Sequence, residues 1–346
     1  MTKLAAALLV WACATGAGSA ASDADWLRYQ KLYVGADGRV IDTGNGGISH
    51  SEGQGTGLLL AAHYDDRAAF DRIWGWTQRN LQVRGDRLLA WKWVPGDSGG
   101  SGGTVADANN ATDGDLFVAW ALARGARQWS DARYLQSARD ISRDILAKLV
   151  IDSAHGLLLL PAGQGFVKPE GVTLNLSYWV FPALQEMQRI DSAAQWPALI
   201  ESGLALLRNG RFGRWQLPPD WLRLADKAEI APDFKPRFGY DAVRIPLYLI
   251  WAKLGNAENL QAFTDFWGYF RGAGFIPAWS ALNDDSVDSY DASPGIHAVI
   301  SLTQSIDAAQ SGPRRPGLPR LAPAQDYYSA SLLLLTKIAA LESMAR

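Results

Sequence analysis

The chain has 346 residues, 48% hydrophobic and 20% charged, which is a globular composition and excludes disorder or a coiled coil over its whole length. A formal net charge of -2 gives no long-range attraction to polyanions, so nucleic acid and anionic membrane surfaces are excluded as partners and an uncharged ligand fits better. The 15 tryptophans outnumber both the 11 tyrosines and the 11 phenylalanines, an excess that stacking on flat apolar ligand faces would explain.

In chain order, Lys3 precedes the apolar run 4–14 and the small-residue stretch 15–21, the three-part layout of a secretory leader. Removal of residues 1–20 is expected, leaving no membrane span, because that run is shorter than the ~20 residues that cross a bilayer. Cys13, the only cysteine, lies within the leader, so the processed chain would carry neither thiol nor disulfide. The segment 10–13 loosely resembles a lipoprotein box, but Trp11 is out of character there. A periplasmic or secreted location follows.

Beyond the leader, apolar segments of helical period alternate with short Gly, Pro, Asn or Asp breaks. Helices are predicted near 52–64, 66–83, 114–128, 131–149, 177–190, 193–209, 241–254, 257–272, 294–309 and 325–342, with one more near 26–33. Very short turns make neighbours antiparallel hairpins, which must bury their shared faces in an open solenoid or a closed ring. Without distinct end caps, closure is the expectation, with residues 21–346 forming one all-α domain. The longer loops 85–112, 155–174, 210–240 and 275–293, rich in Gly, Pro, Trp and Asp, should gather at one end of the ring and carry function.

Acidic residues stand at the starts of three apolar helices: Glu52 in Ser49-His50-Ser51-Glu52-Gly53-Gln54-Gly55, Asp113 and Asp115 in Ala111-Thr112-Asp113-Gly114-Asp115, and Asp241 in Phe238-Gly239-Tyr240-Asp241-Ala242-Val243-Arg244. Capping accounts for much of this, since Ser49 to Glu52 and Thr112 to Asp115 match capping boxes and Asp241 suits an N-cap. Capping leaves unexplained the glycines around Glu52, which would let a bulky ligand approach the backbone, and Arg244 one turn after Asp241. Glycoside cleavage requires one carboxylic acid to protonate the leaving oxygen and one carboxylate to activate water or attack the sugar. Glu52 has no cationic neighbour in sequence and lies near apolar residues, which would raise its pKa, whereas Arg244 would lower that of Asp241; the acid and base are assigned accordingly.

These residues resemble glycoside hydrolase family 8, in particular its secreted cellulases of bacterial cellulose synthesis. The stretch Ala111-Thr112-Asp113-Gly114-Asp115, followed by Ala119, Ala121, Leu122 and Trp129, is similar to the family signature; it departs from it at Val118 and Gly125. The resemblance continues in Ser51-Glu52-Gly53-Gln54, in Asn175-Leu176-Ser177-Tyr178-Trp179, where the family usually has Pro in place of Leu176, and in Tyr240 to Arg244. It implies an (α/α)6 barrel with a substrate cleft across one end, no cofactor, and inverting endo-β-1,4-glucanase activity on a β-1,4-glucan chain, in association with cellulose synthase. Glu52 would be the proton donor, Asp241 the base and Asp113 a binder of the sugar at the point of cleavage, with Asp115 among the substrate-binding positions. Tyr178, Tyr240 and Arg244 would stand near the catalytic water. Chitosan or xylan as substrate, and a non-catalytic glucan-binding protein, are the alternatives; retention of both Glu52 and Asp241 argues against the last.

Trp91 and Trp93, in a loop before the Gly-rich segment 96–103, are candidates for stacking on consecutive sugars. Trp74, Trp120, Trp179, Trp251 and Trp267 are expected in the core, as is His63. His50, His63, His155 and His297 form no metal spacing, so no metal is expected. Asp284, Asp285, Asp288 and Asp291 lack the Gly and Glu positions of a calcium loop and read as a solvated loop ending at Ser293-Pro294.

Overall fold

The computed structural model describes residues 23–96, 102–307 and 316–344. The predicted leader, residues 1–20 with Cys13, lies outside the described residues. Eleven α-helices are found among the described residues: α1 Ala24–Tyr33, α2 Ser51–His63, α3 Arg67–Asn80, α4 Thr112–Trp129, α5 Ala132–Leu149, α6 Phe181–Ile190, α7 Gln195–Asn209, α8 Ile245–Trp251, α9 Ala257–Tyr269, α10 Pro294–Asp307 and α11 Tyr327–Ser343.

Local chemistry sets the starts. Asp23, Asp66, Asp131, Asn256 and Asp326 each accept a backbone N–H of the first turn, satisfying donors that have no partner within the helix. Proline sets two others. Pro182 and Pro246 stand in the first turns of α6 and α8, where a missing N–H costs nothing. This is why α6 and α8 begin later than the apolar period suggests. The residues before them form single 3-10 turns, Leu176–Tyr178 and Ala242–Arg244.

Burial divides the helices into two layers. In α3 the buried set is Ala69, Phe70, Ile73, Trp74, Trp76 and Thr77, one stripe of a surface helix. In α2 every residue from Gly53 to Ala62 is buried, and α11 is buried along nearly all of its length, so neither has a solvent face. Contacts run from α2 to α4, α4 to α6, α6 to α8, α8 to α10 and α11, α10 to α11, and from α11 back to α2. That circuit is the closed inner ring of an (α/α)6 barrel. Outside it, α3 packs on α2, α5 on α4, α7 on α6, α9 on α10 and α8, and α1 on α11. The ring encloses one continuous apolar core that includes Trp74, Trp120, Trp179, Trp251 and Trp267.

The long loops are more ordered than the sequence indicates. Together with the segments beside them they hold a three-stranded antiparallel sheet of β1 (Ser49–His50), β2 (Lys92–Pro95) and β3 (Gly103–Asp107) and a hairpin of β4 (Val150–Ser153) with β5 (Gly156–Leu159). A four-stranded sheet joins β6 (Val167–Lys168), β7 (Gly171–Leu174), β8 (Leu222–Leu224) and β9 (Ala228–Ile230), and β10 (Arg237–Phe238) pairs with β11 (Ser280–Ala281). Strands of two to five residues are too short for a period of two to emerge. Among the described residues, no helix is long and apolar enough to cross a membrane.

Candidate active site

The site lies where inner-ring helices begin. Glu52 and Asp113 are the second residues of α2 and α4, and Asp241 immediately precedes the 3-10 turn that leads into α8. None of the three caps its helix. His50 caps α2, its Nδ1 accepting the Gly53 N–H at 3.0 Å. Thr112 donates its hydroxyl to the Leu160 carbonyl rather than closing a capping box, and Asp241 makes no side-chain cap. The capping explanation of these acids is thereby corrected.

Arg244 gathers the carboxylates instead. It is 5% exposed; its Nη1 donates to Glu52 Oε1 at 2.9 Å and to Asp113 Oδ2 at 3.4 Å, and its Nη2 donates to Asp241 Oδ1 at 2.8 Å and to Ser177 Oγ at 3.0 Å. One guanidinium fork thus spans Glu52 and Asp241, while the outer parts of both side chains stay 30% exposed to the cleft. The inference that only Asp241 has a cation beside it is corrected: Glu52 shares the same arginine, from 192 positions away in sequence.

Burial dominates the titration of these groups. It pushes the Asp113 carboxyl up to about 7, helped by the charges of Glu52 and Asp241 and opposed by Arg244. Asp241 rises to about 6 for the same first reason, with Arg244 pulling down and Asp220 and Glu52 pushing up. The expected lowering by Arg244 is therefore outweighed by desolvation. Protons on this set belong to the group of carboxylates rather than to one member.

Glycines bring the helices close enough for this. A Cβ on Gly55 would stand 2.5 Å from Phe117 Cβ, and one on Gly114 would stand 2.1 Å from Ser51 Oγ and 2.7 Å from the Glu52 nitrogen. Contacts so short place α2 and α4 backbone to backbone and hold Glu52 beside Asp113. The glycines around Glu52 thus serve helix packing, not the approach of a ligand. Gln54, fully buried, ties the same turn down by accepting from the Val40 N–H at 2.6 Å and donating to Thr77 Oγ1 at 2.9 Å.

Two of the binding positions read from sequence take other roles. Asp115 has no exposed surface; its oxygens accept the Leu89 N–H and the Asn110 amide, both at 2.8 Å, and burial pushes it up to about 8. It braces the 85–112 loop and does not reach the cleft. Trp93 is 4% exposed, edge-on to Trp76 at 5.4 Å and covered by the Arg39 guanidinium at 4.9 Å, so it offers no face to a sugar. Trp91 is half-buried, and its carbonyl accepts the Ser51 N–H at 3.1 Å, one residue from Glu52. Tyr178 and Tyr240 are half-buried near the carboxylates. The Tyr178 ring lies 6.0 Å from the Arg244 guanidinium, and the Tyr240 carbonyl accepts from the Tyr328 hydroxyl at 2.7 Å.

Sequence reading missed Asp220, which accepts the backbone N–H groups of Gly239, Asp241 and Ala242. Its only local signal is the turn Pro218-Pro219-Asp220-Trp221. His63 is not core but ends α2, near Arg124 and Glu342. Asp284, Asp285 and Asp291 each accept separate loop N–H groups, and α10 starts at Pro294 as expected. Among the described residues, no three His, Cys, Asp or Glu side chains converge as a metal site.

Sequence and fold are similar to those of known proteins. The chain is 42% identical over 320 residues to a probable endoglucanase of Novacetimonas hansenii, covering 92% of this chain and 90% of that one. It is 36% identical to an endoglucanase of Cellulomonas uda, covering 80% and 76%. The solved endo-β-1,4-glucanase of Acetobacter xylinum superposes with a TM-score of 0.85 at 40% identity, over 94% of this chain and 99% of that one. The sequence profile of Glycosyl hydrolases family 8 matches residues 1–341. With that match spanning the ring and all three carboxylates on its arginine, the chain is a member of glycoside hydrolase family 8.

Proposed function

We propose that this glycosidase cuts β-1,4-glucan within the chain and with inversion, using Glu52 as acid and Asp241 as base. The observation that supports it most is the sharing of Arg244 by two partly exposed carboxylates, Glu52 and Asp241, at the N-terminal ends of inner-ring helices. In this reading Glu52 delivers its proton to the glycosidic oxygen as the bond to C1 breaks. Asp241 takes a proton from the water that bonds to C1 on the opposite face. Asp113, expected to bind the sugar being cleaved, is 2% exposed and instead shares the Arg244 Nη1 with Glu52, while Tyr178 and Tyr240 border the water.

Once the leaving group has departed, Asp241 holds the proton and Glu52 is ionised, so the pair must exchange protons with solvent before the next turnover. Their shared exposure to the cleft permits this. The relatives' names favour glucan as substrate. The predicted leader favours action in the periplasm or outside the cell.

A reducing-sugar assay over carboxymethylcellulose, xylan and chitosan tests the substrate, and proton NMR of fresh product tests the stereochemistry. Cleavage of carboxymethylcellulose with the α-anomer appearing first is expected; a β-anomer appearing first overturns the base role of Asp241. Intact mass of the exported protein should show residues 1–20 removed.

A further inference from the structure

Asp220 does not reach the arginine that holds the catalytic carboxylates, yet it is 4% exposed and both its oxygens are engaged. Oδ1 accepts the N–H groups of Gly239 at 2.9 Å, Asp241 at 3.2 Å and Ala242 at 2.9 Å, and Oδ2 accepts from Arg237 Nε at 3.0 Å. Three donors within four consecutive residues fold that backbone around a single carboxylate oxygen, so the direction in which the Asp241 side chain leaves the main chain depends on it.

The support under Asp220 is rigid. Pro218 and Pro219 precede it, its own N–H donates to the Arg237 carbonyl at 2.7 Å, and β8 follows directly. Trp221, the next residue, lies between Phe166 at 5.6 Å and Phe234 at 4.2 Å, with interplanar angles of 8° and 11°. Gly239 leaves the room: a Cβ there would stand 2.9 Å from Asp220 Oδ2 and 2.9 Å from Arg237 Nε.

We propose that Asp220 is a positioning residue for the catalytic base, fixing the Gly239 to Ala242 backbone so that the Asp241 carboxylate meets Arg244 and the cleft together. The inference rests on the reading of Asp241 as base. Asp220 also acts through its charge. The groups that face Asp241 are Arg244 from the turn before α8, Asp220, Glu52 from α2, Asp113 from α4, Asn175 and Tyr178 before α6, and Tyr328 from α11. Arg244 favours the ionised base, whereas Asp220, Glu52 and Asp113 oppose it. Asp220 is the one anion among them outside the Arg244 cluster, so its charge can be removed without touching that cluster.

The test uses the full chain with Asp220→Asn, which keeps an acceptor for the three N–H groups while removing the charge, and Asp220→Ala, which removes both. For Asp220→Asn, the acid limb of kcat/KM should move to lower pH by about half a unit or more, because an anion beside the base is gone. For Asp220→Ala, kcat should fall about 10²-fold or more with KM changed by about twofold or less, because the base is misaimed while the sugar sites persist. Partial recovery of kcat in Asp220→Asn relative to Asp220→Ala is expected. An acid limb unmoved in Asp220→Asn, or a loss in Asp220→Ala that only tracks the folded fraction by circular dichroism, overturns the proposal. Wild-type activity in Asp241→Asn would instead defeat the reading of the base, which separates the two failures.

Discussion

Replacing Arg244 by Met keeps an unbranched, buried side chain but removes the cation on which Glu52, Asp113 and Asp241 converge at 2.9, 3.4 and 2.8 Å. Removing one partner of a buried ion pair costs about 3–5 kcal/mol when the abandoned charge stays ionised. Carboxylates have another course, since they can take up protons. Asp113 is already raised to about 7 and Asp241 to about 6 with the arginine present, so without it both must rise further. A group whose pKa is raised on folding is most favourable to the fold at pH below its unfolded value and loses that contribution as pH rises through the folded value. The variant should therefore approach wild-type stability near pH 5 and fall short by about 3–5 kcal/mol near pH 8. The acid limb of kcat/KM should move up by about one unit or more from about 6, and kcat at pH 7 should drop about twofold for a shift of one unit and about tenfold for two as the base becomes protonated. Urea unfolding at pH 5 and pH 8, with a pH profile of turnover, measures all three. A stability loss equal at both pH values, with an unmoved acid limb, would refute the view that Arg244 opposes the desolvation of these carboxylates.

Further outcomes follow from the same geometry. Glu52→Gln and Asp241→Asn, which keep shape but remove proton transfer, should each lower kcat about 10²-fold or more with unchanged melting and retained binding of cello-oligosaccharides; turnover near wild type in either removes that residue from the chemistry. Trp91→Ala should weaken binding of long oligosaccharides by about 0.5–1.5 kcal/mol, whereas Trp93→Ala should instead destabilise the fold by about 3–5 kcal/mol. Calorimetry of binding and unfolding would contradict the burial argument if the two effects were exchanged. In the wild type, Asp113 and Asp115, raised to about 7 and about 8, favour the fold at acid pH and lose that contribution as pH rises from about 4 through about 8. Asp115→Asn should flatten the upper part of that slope, and an unchanged slope counts against the burial of an ionisable Asp115. Gly114→Ala places a Cβ 2.1 Å from Ser51 Oγ and should cost about 1–3 kcal/mol with a fall in kcat, which a melting curve and a turnover assay would show or exclude.

The ring was legible because each helix carries its own signal. Apolar residues at helical spacing, Asp or Asn at the first turn and proline just inside the start are local features, and they located the helices to within a few residues except where Pro182 and Pro246 delay α6 and α8. The carboxylates were legible as unusual acids and through the family resemblance. Their electrostatics were not. Arg244 is three residues from Asp241 and 192 from Glu52, so proximity in sequence disclosed one pair and concealed the other. Asp115 and Trp93 show the same limit in reverse: both lie beside functional residues in sequence, but helix and strand geometry turn them into the interior. Asp220 had almost no signal, because its partners are backbone N–H groups and any sequence supplies those.

The closed ring also explains why the site can exist where it does. Glu52, Asp113, the Ser177 turn, Asp241 and Tyr328 all stand at or just before the N-termini of inner helices, the ends at which unpaired N–H groups favour negative charge. Three neighbouring carboxylates repel one another and lose solvation, and Asp113 rises to about 7 under that pressure. Converging helix ends and a single arginine oppose it. The balance raises Asp113 to about 7, so the cluster can take up a proton near neutral pH, as the proposed acid and base would require on every turnover. A surface helix could supply the same residues but not the confinement: backbone contact of α2 with α4 through Gly55 and Gly114, and the anchoring of the α8 turn on Asp220, fix the carboxylates to elements that cannot move independently. The geometry of these carboxylates is a property of how the ring closes.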